Sequence, residues 1–284
     1  MKKFSYIKIN GAGNDFILVD KNKNPAINFT QSEITKLCYR QTGIGADGLI
    51  IIENDNSSDF KMLYYNADGS SGSLCGNGAR CAIKYAELSK IICNKQTRFI
   101  SNNNIYRGEI LSENVIKFYS QPPTKMKLNF KIKAYNQLIT ASYIDTGSPH
   151  VVINIEDVLS DPGKINSSFK RIEDFPVENI GKEIRYAPEF QPAGVNVNFI
   201  QYSDSEIKIR SYEKGVEAET LACGTGSVAV AIVSFLNSKK NPPIKLITKS
   251  NAELIVNFDI ENKSFKNISL TGPVEIEHEG EYSI

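Results

Sequence analysis

The sequence predicts an α/β (α+β) fold of two pseudo-symmetric domains, each a strand-rich, barrel-like sheet wrapped around a central helix. Three observations carry this prediction. The 284 residues suffice for two domains of ordinary size. Short strand-like runs far outnumber helical ones. Two helices open on one pattern, Cys75-Gly76-Asn77-Gly78 and Cys223-Gly224-Thr225-Gly226, one in each half. With 19 glycines in the chain, two of five cysteines preceding Gly-x-Gly by chance has a probability of roughly 2 in 10,000, so the repetition is a signal.

In the first half, Phe4 to Ile9 and Phe16 to Asp20 read as strands flanking a Gly-Ala-Gly-Asn turn. Ser32 to Gln41 reads as a short helix with Thr30 or Ser32 at its N-cap. Strands follow at Leu49 to Glu53 and Phe60 to Asn66. Ala79, Ala82, Ile83 and Ala86 then recur at helical spacing from Gly76 to about Leu88. Further strands lie near 97–101, 105–110 and 115–119, and Gln121-Pro-Pro-Thr124 marks a domain boundary.

The second half repeats the plan. Leu138 to Ile144 and Val151 to Ile155 flank Asp145-Thr-Gly-Ser-Pro-His150, and Val195 to Gln201 and Ile207 to Tyr212 are strands. A helix from Gly224 to about Leu236 carries Val228-Ala-Val-Ala-Ile-Val233, apolar on every side, which suits a helix enclosed by protein. Strands at 244–248, 254–258 and 268–271 close the set. Gly13-Asn14 corresponds to Gly147-Ser148, and Asn66 to Lys214 by its distance from the cysteine, as in a diverged internal duplication.

Composition narrows the function classes. Thirty-three basic against 32 acidic side chains give no electrostatic footprint for nucleic acid. No apolar run approaches the ~20 residues of a membrane span. The N-terminal segment alternates apolar and polar residues, unlike a secretory signal, so a cytoplasmic protein is expected. Five cysteines and two histidines favour neither a disulfide framework nor a zinc site. Cys38, Cys81 and Cys93, lacking the glycine context, read as core residues.

The chemistry follows from the helix starts. A helix N-terminus exposes backbone N–H groups and the positive end of the dipole, favouring a thiolate and binding carboxylates. Two such ends with a substrate α-carbon between them suit a two-base exchange, one sulfur removing the α-proton and the other returning a proton from the opposite face. No cofactor is expected, because the sequence has no pyridoxal-phosphate setting or metal cluster. Carbanion stabilisation then falls to N–H groups aimed at the carboxylate. Asn14 and Asn66 also read as turn residues, and a lone His150 as a structural one.

Taken in order, Asn10-Gly-Ala-Gly-Asn-Asp-Phe16, Gly43-Ile-Gly-Ala-Asp-Gly48, Asn66-Ala-Asp-Gly69, Cys75-Gly-Asn-Gly-Ala-Arg-Cys81, Gly147-Ser-Pro-His150, Val195-Asn196, Tyr212-Glu-Lys-Gly215 and Glu219-Thr-Leu-Ala-Cys-Gly-Thr-Gly226 resemble the diaminopimelate epimerase family. The resemblance implies interconversion of LL- and meso-diaminopimelate in lysine and peptidoglycan-precursor synthesis, without pyridoxal phosphate, in a homodimer. It also implies an active site in the cleft between two domains, 1–120 with a returning strand at 272–284, and 121–271. Cys75 and Cys223 would be the acid–base pair, the first conventionally the donor. His150 and Glu213 would be polar residues beside them. Asn14, Asn66 and Asn196 would hold the substrate's amino and carboxylate groups. Gly76, Asn77, Gly224 and Thr225 would offer N–H groups to the reacting carboxylate, and Glu213 and Lys214 would line the substrate.

Three positions depart from the family pattern. Gly48 stands where some members have glutamine, Ser148 where asparagine is usual, and Lys214 where arginine is usual. Arginine can fork onto a distal carboxylate and lysine cannot, so a racemase of another amino acid on the same fold is the alternative. An isomerase or binding protein of the phenazine-biosynthesis type lacks the cysteine pair, and a thiol redox sensor would use it differently.

Overall fold

The computed structural model describes residues 2–72 and 74–284. The chain divides into unit 1, Met1–Ser120 with Thr271–Ile284, and unit 2, Gln121–Leu270.

Unit 1 begins with β1 (Lys3–Gly11) and β2 (Asn14–Asp20), an antiparallel pair joined at Ala12 and Gly13. Both turn residues have positive φ, 61° and 103°, the conformation of the tight hairpin turns that match strand twist. The helix α1 (Gln31–Cys38) follows, capped by Thr30, whose hydroxyl accepts from Glu33 N while the Glu33 carboxylate returns to Thr30 N. The helix stops three residues short of the expected Gln41, because Tyr39 turns extended at φ −69°, ψ 120°. This crossover makes β3 (Gly48–Glu53) parallel to β2, and β4 (Phe60–Asn66) returns antiparallel to β3. After α2 (Gly76–Leu88) come β5 (Gln96–Ser101), parallel to β4, then β6 (Asn104–Ser112) and β7 (Val115–Tyr119).

Unit 2 repeats this order of pairings. The strands β8 (Met126–Ala134) and β9 (Gln137–Asp145) form a hairpin, and β10 (Pro149–Asn154) is antiparallel to β9. The helix α3 (Val177–Arg185) makes the crossover to β11 (Asn196–Tyr202), parallel to β10, and β12 (Ile207–Glu213) is antiparallel to β11. After the short β13 (Ala218–Thr220) and α4 (Gly224–Leu236), β14 (Ile244–Ile247) is parallel to β12, and β15 (Glu253–Glu261) is antiparallel to β14. The strand β16 (Ser264–Pro273) leads back to unit 1, where β17 (Glu275–Ser283) pairs along β1 from Lys3↔Ser283 to Asn10↔Glu275. In both units the sequence of pairings is antiparallel, parallel, antiparallel, helix, parallel, antiparallel.

Each principal helix is enclosed. Residues Gly76–Ala86 of α2 are all buried, and the helix packs on β1 to β4, β6 and β7, so the sheet curves around it. Its core includes Ile9, Phe16, Ile50, Phe60, Met62, Ile83, Phe99 and Phe118. The apolar run of α4 is likewise buried from Gly226 to Ser234, between β9, β10, β11 and β15. Cys38 and Cys81 are core residues, whereas Cys93 is exposed, in the loop between α2 and β5. No described helix is long and apolar enough to cross a membrane.

Candidate active site

The two cysteines have the same local setting. Cys75 is the N-cap of α2 and its Sγ accepts from Gly78 N at 3.5 Å. Cys223 is the N-cap of α4 and its Sγ accepts from Gly226 N at 3.4 Å. Each sulfur therefore lies at the positive end of a 13-residue helix. By helix geometry, the amides of Gly76 and Asn77, and of Gly224 and Thr225, have no carbonyl acceptor within their own helix.

In unit 1, parallel pairing of β2 with β3 and antiparallel pairing of β3 with β4 bring Asn14, Gly48 and Asn66 to one edge of the sheet. Asn77 Nδ2 donates to Asn14 Oδ1 at 2.5 Å, joining β2 to the first turn of α2. Asn14 Nδ2 donates to Asp47 Oδ2 at 3.0 Å. Arg40 spans Asp15 and Asp47, at 2.7 Å from each, and Lys8 lies 2.5 Å from Asp15 and also donates to Gly45 O. Burial alone would raise the Asp15 carboxyl, but the bonds from Arg40 and Lys8 outweigh it and hold the group at about 2. Burial pushes Asp47 upward, and the Asp15 charge adds to this. Asn66 Nδ2 donates to Ser70 Oγ at 3.0 Å, closing the turn after β4.

In unit 2 the equivalent edge carries His150, Asn196 and Glu213. His150 is paired in register with Asn196, and Val197 with Tyr212, so Asn196 stands opposite Glu213. Because Gly48 stands opposite Asn66, the strand register matches Asn66 with Glu213, one residue away from the match to Lys214 obtained by counting from the cysteines. Asn196 Nδ2 donates to Ser148 Oγ and Pro149 O, both at 3.0 Å, and its Oδ1 accepts from Lys214 N at 2.9 Å. The Glu213 carboxylate accepts from Thr220 Oγ1.

His150 is fully buried and reaches the cysteine through Thr225. Its Nε2 lies 2.9 Å from Thr225 Oγ1, and Thr225 Oγ1 lies 3.8 Å from Cys223 Sγ. Asn198 Nδ2 lies 3.1 Å from His150 Nδ1 and donates to Val151 O at 3.2 Å. A carbonyl can only accept, so the Asn198 amide nitrogen faces the ring and Nδ1 is an acceptor. Burial holds the imidazole at about 3, so at neutral pH it is uncharged, carries its proton on Nε2 and donates to Thr225.

Within unit 1 the structure joins Asn14, Cys75, Gly76 and Asn77, and Asn66 shares their edge without a bond to them. Within unit 2 it joins His150, Cys223, Gly224 and Thr225, with Asn196, Glu213 and Lys214 beside them. Sequence reasoning missed Asp47, Arg80, Asn198 and Thr220. Asn198 had a readable signal: Asn196 and Asn198 alternate in the apolar run Val195–Ile200, so they share one face of the strand.

The fold is similar to that of the probable proline racemase from Agrobacterium radiobacter K84, with a TM-score of 0.73 and 13% sequence identity over 99% of this chain and 93% of that one. That likeness shows the fold; the class, an isomerase that epimerises an amino acid, is shown by the sequence matches. The sequence model described as diaminopimelate epimerase matches residues 6–125 and 142–277. Curated diaminopimelate epimerases of Flavobacterium psychrophilum and Aquifex aeolicus are 40% and 37% identical, covering 97% of this chain and 97% and 96% of their own. The chain belongs to the diaminopimelate epimerase family.

Proposed function

We propose that this protein interconverts LL- and meso-2,6-diaminopimelate by two-base proton transfer at one α-carbon, with Cys75 and Cys223 as the two bases. The observation that carries the reading is the matched pair of cysteine N-caps, each on a glycine-led helix. In one direction a thiolate takes the α-proton: the Cα–H bond breaks and an S–H bond forms. The opposing thiol gives its proton to the other face of the carbanion and becomes the thiolate. Turnover thus exchanges the protonation states of the sulfurs, which readies the pair for the reverse reaction.

The α-carboxylate would receive N–H groups from Gly76, Asn77, Gly224 and Thr225, whose partial positive charge offsets the charge that develops on proton removal. Asn14, Asn66, Asn196 and Glu213 would orient the amino and carboxylate groups. His150 would act on Cys223 through Thr225, and Lys214 would meet the distal end of the substrate. The reaction needs no cofactor in this scheme. We propose a cytoplasmic homodimer, as the family resemblance implies, with a small-molecule substrate.

Proton NMR of the purified protein with LL-diaminopimelate in D2O tests the reading. The expected result is meso product carrying deuterium at the inverted α-carbon, with loss of turnover in both Cys75→Ala and Cys223→Ala. Full activity in either variant, or no turnover by the wild type, overturns it. Lys214 in place of the usual arginine favours a second reading, racemisation of another amino acid, which competition between diaminopimelate and single-centre amino acids distinguishes.

A further inference from the structure

Arg80 lies in α2, five residues beyond Cys75, and carries a charge that the scheme above does not use. It is fully buried. Its Nη2 donates to Asn77 Oδ1 at 2.9 Å and its Nη1 reaches back to Gly76 O at 3.4 Å. Among the described residues it pairs with no carboxylate, and its Nε has no hydrogen-bond partner. Burial lowers the guanidinium only to about 10, so it stays charged at neutral pH, and the titratable groups whose charge acts on it are the thiols of Cys81 and Cys75. Burying an uncompensated cation is costly. The fold does not require it: five residues after Cys223 the corresponding position is Val228, buried and apolar.

The hydrogen bonds give that charge a direction. A guanidinium can only donate, so the Asn77 oxygen must face Arg80 and its amide nitrogen must face Asn14. The Asn14 oxygen is then occupied by Asn77, and its nitrogen is turned to Asp47. Arg80 at one end and Asp47 at the other thus set the orientation of both amides.

We propose that Arg80 is a positioning residue, fixing the Asn77 and Asn14 amides and holding a permanent positive charge behind the first turn of α2, where a Cys75 thiolate and a substrate carboxylate come to lie. The part concerning substrate rests on the two-cysteine reading above, and the part concerning Cys75 does not.

The test uses Arg80→Met and Arg80→Lys. Alkylation of each cysteine by iodoacetamide without substrate is followed by peptide mass spectrometry, with exposed Cys93 as internal reference, alongside epimerisation kinetics. In Arg80→Met, Cys75 alkylation relative to Cys93 should slow about tenfold, the effect of a tenfold smaller thiolate fraction. Arg80→Lys keeps the charge but not the fork, so it should restore the alkylation ratio while KM stays raised. Should Arg80→Met fail to fold, as judged by circular dichroism, Arg80→Lys still decides: a raised KM with a wild-type alkylation ratio supports the proposal, and unchanged KM overturns it. A wild-type ratio in folded Arg80→Met also overturns it. A wild type that turns over no diaminopimelate sinks the functional reading, yet leaves the alkylation comparison intact.

Discussion

Asn198 Nδ2 stands 3.1 Å from His150 Nδ1, and this contact fixes the imidazole as a neutral ring with its proton directed at Thr225. A group held this way makes stability depend on pH. The unfolded imidazole titrates near 6.5 and the folded one at about 3, so between these values the unfolded state binds more protons and stability falls as pH falls. From pH 7 to pH 5 this residue alone should remove roughly 2 kcal/mol. Urea unfolding of the wild type and of His150→Gln at both pH values measures it: the gap between them should narrow by that amount at pH 5. A constant gap would show that the ring is not buried neutral.

Gly226 and Gly78 occupy equivalent places after their cysteines but differ in space. A Cβ on Gly226 would lie 2.3 Å from Asn198 Oδ1 and 3.0 Å from Cys223 Sγ, while one on Gly78 meets nothing nearer than Ile50 Cδ1 at 3.3 Å. Gly226→Ala should therefore displace Asn198 and the sulfur together, at a cost of about 1–3 kcal/mol and at least a tenfold loss of kcat. Gly78→Ala should change stability by less than ~1 kcal/mol, since the gain in helix propensity offsets the tighter contact. Thermal unfolding and steady-state kinetics of both variants check the contrast.

Lys214 contributes its backbone N–H to Asn196, which leaves its side chain available to be changed without disturbing that bond. Lys214→Arg should supply the forked contact to a distal carboxylate and lower KM for diaminopimelate about three- to tenfold with kcat little altered. Unchanged KM would remove Lys214 from the distal subsite.

Much of this was legible because the decisive residues are punctuated. Cysteine and glycine at the start of α2 and α4 announce both the helix and its chemistry, and the all-apolar face of α4 announces an enclosed helix. The helix α3 was missed although Val177, Ile180 and Ile184 are buried at helical spacing, because Pro176 at its N-cap offers no side-chain bond and the run is short. The strand β8 escaped notice because exposed lysines interrupt it. The polar networks were the least readable. Asp47, Arg80 and Thr220 each look like ordinary surface residues, and only the pairing of distant strands brings Asp47 to Asn14 and Thr220 to Glu213. Cys93 shows the converse: it follows buried Ile92 yet lies exposed itself, beside Asn94 and Lys95.

The pairing of β17 with β1 makes the opening strand of unit 1 depend on a strand made after the whole of unit 2. Ile7 to Asn10 have strand neighbours on both sides, and Lys3 to Tyr6 have one, only when Glu275 to Ser283 lie beside them. During synthesis the chain emerges from its N-terminus, so β1 is exposed as a sheet edge until β17 has been made. Unit 2, whose residues are contiguous from 121 to 270, can close before that moment. Unit 1, begun before unit 2, is thus completed after it, and a chain ended before β17 would present an open strand edge of the kind that recruits other chains.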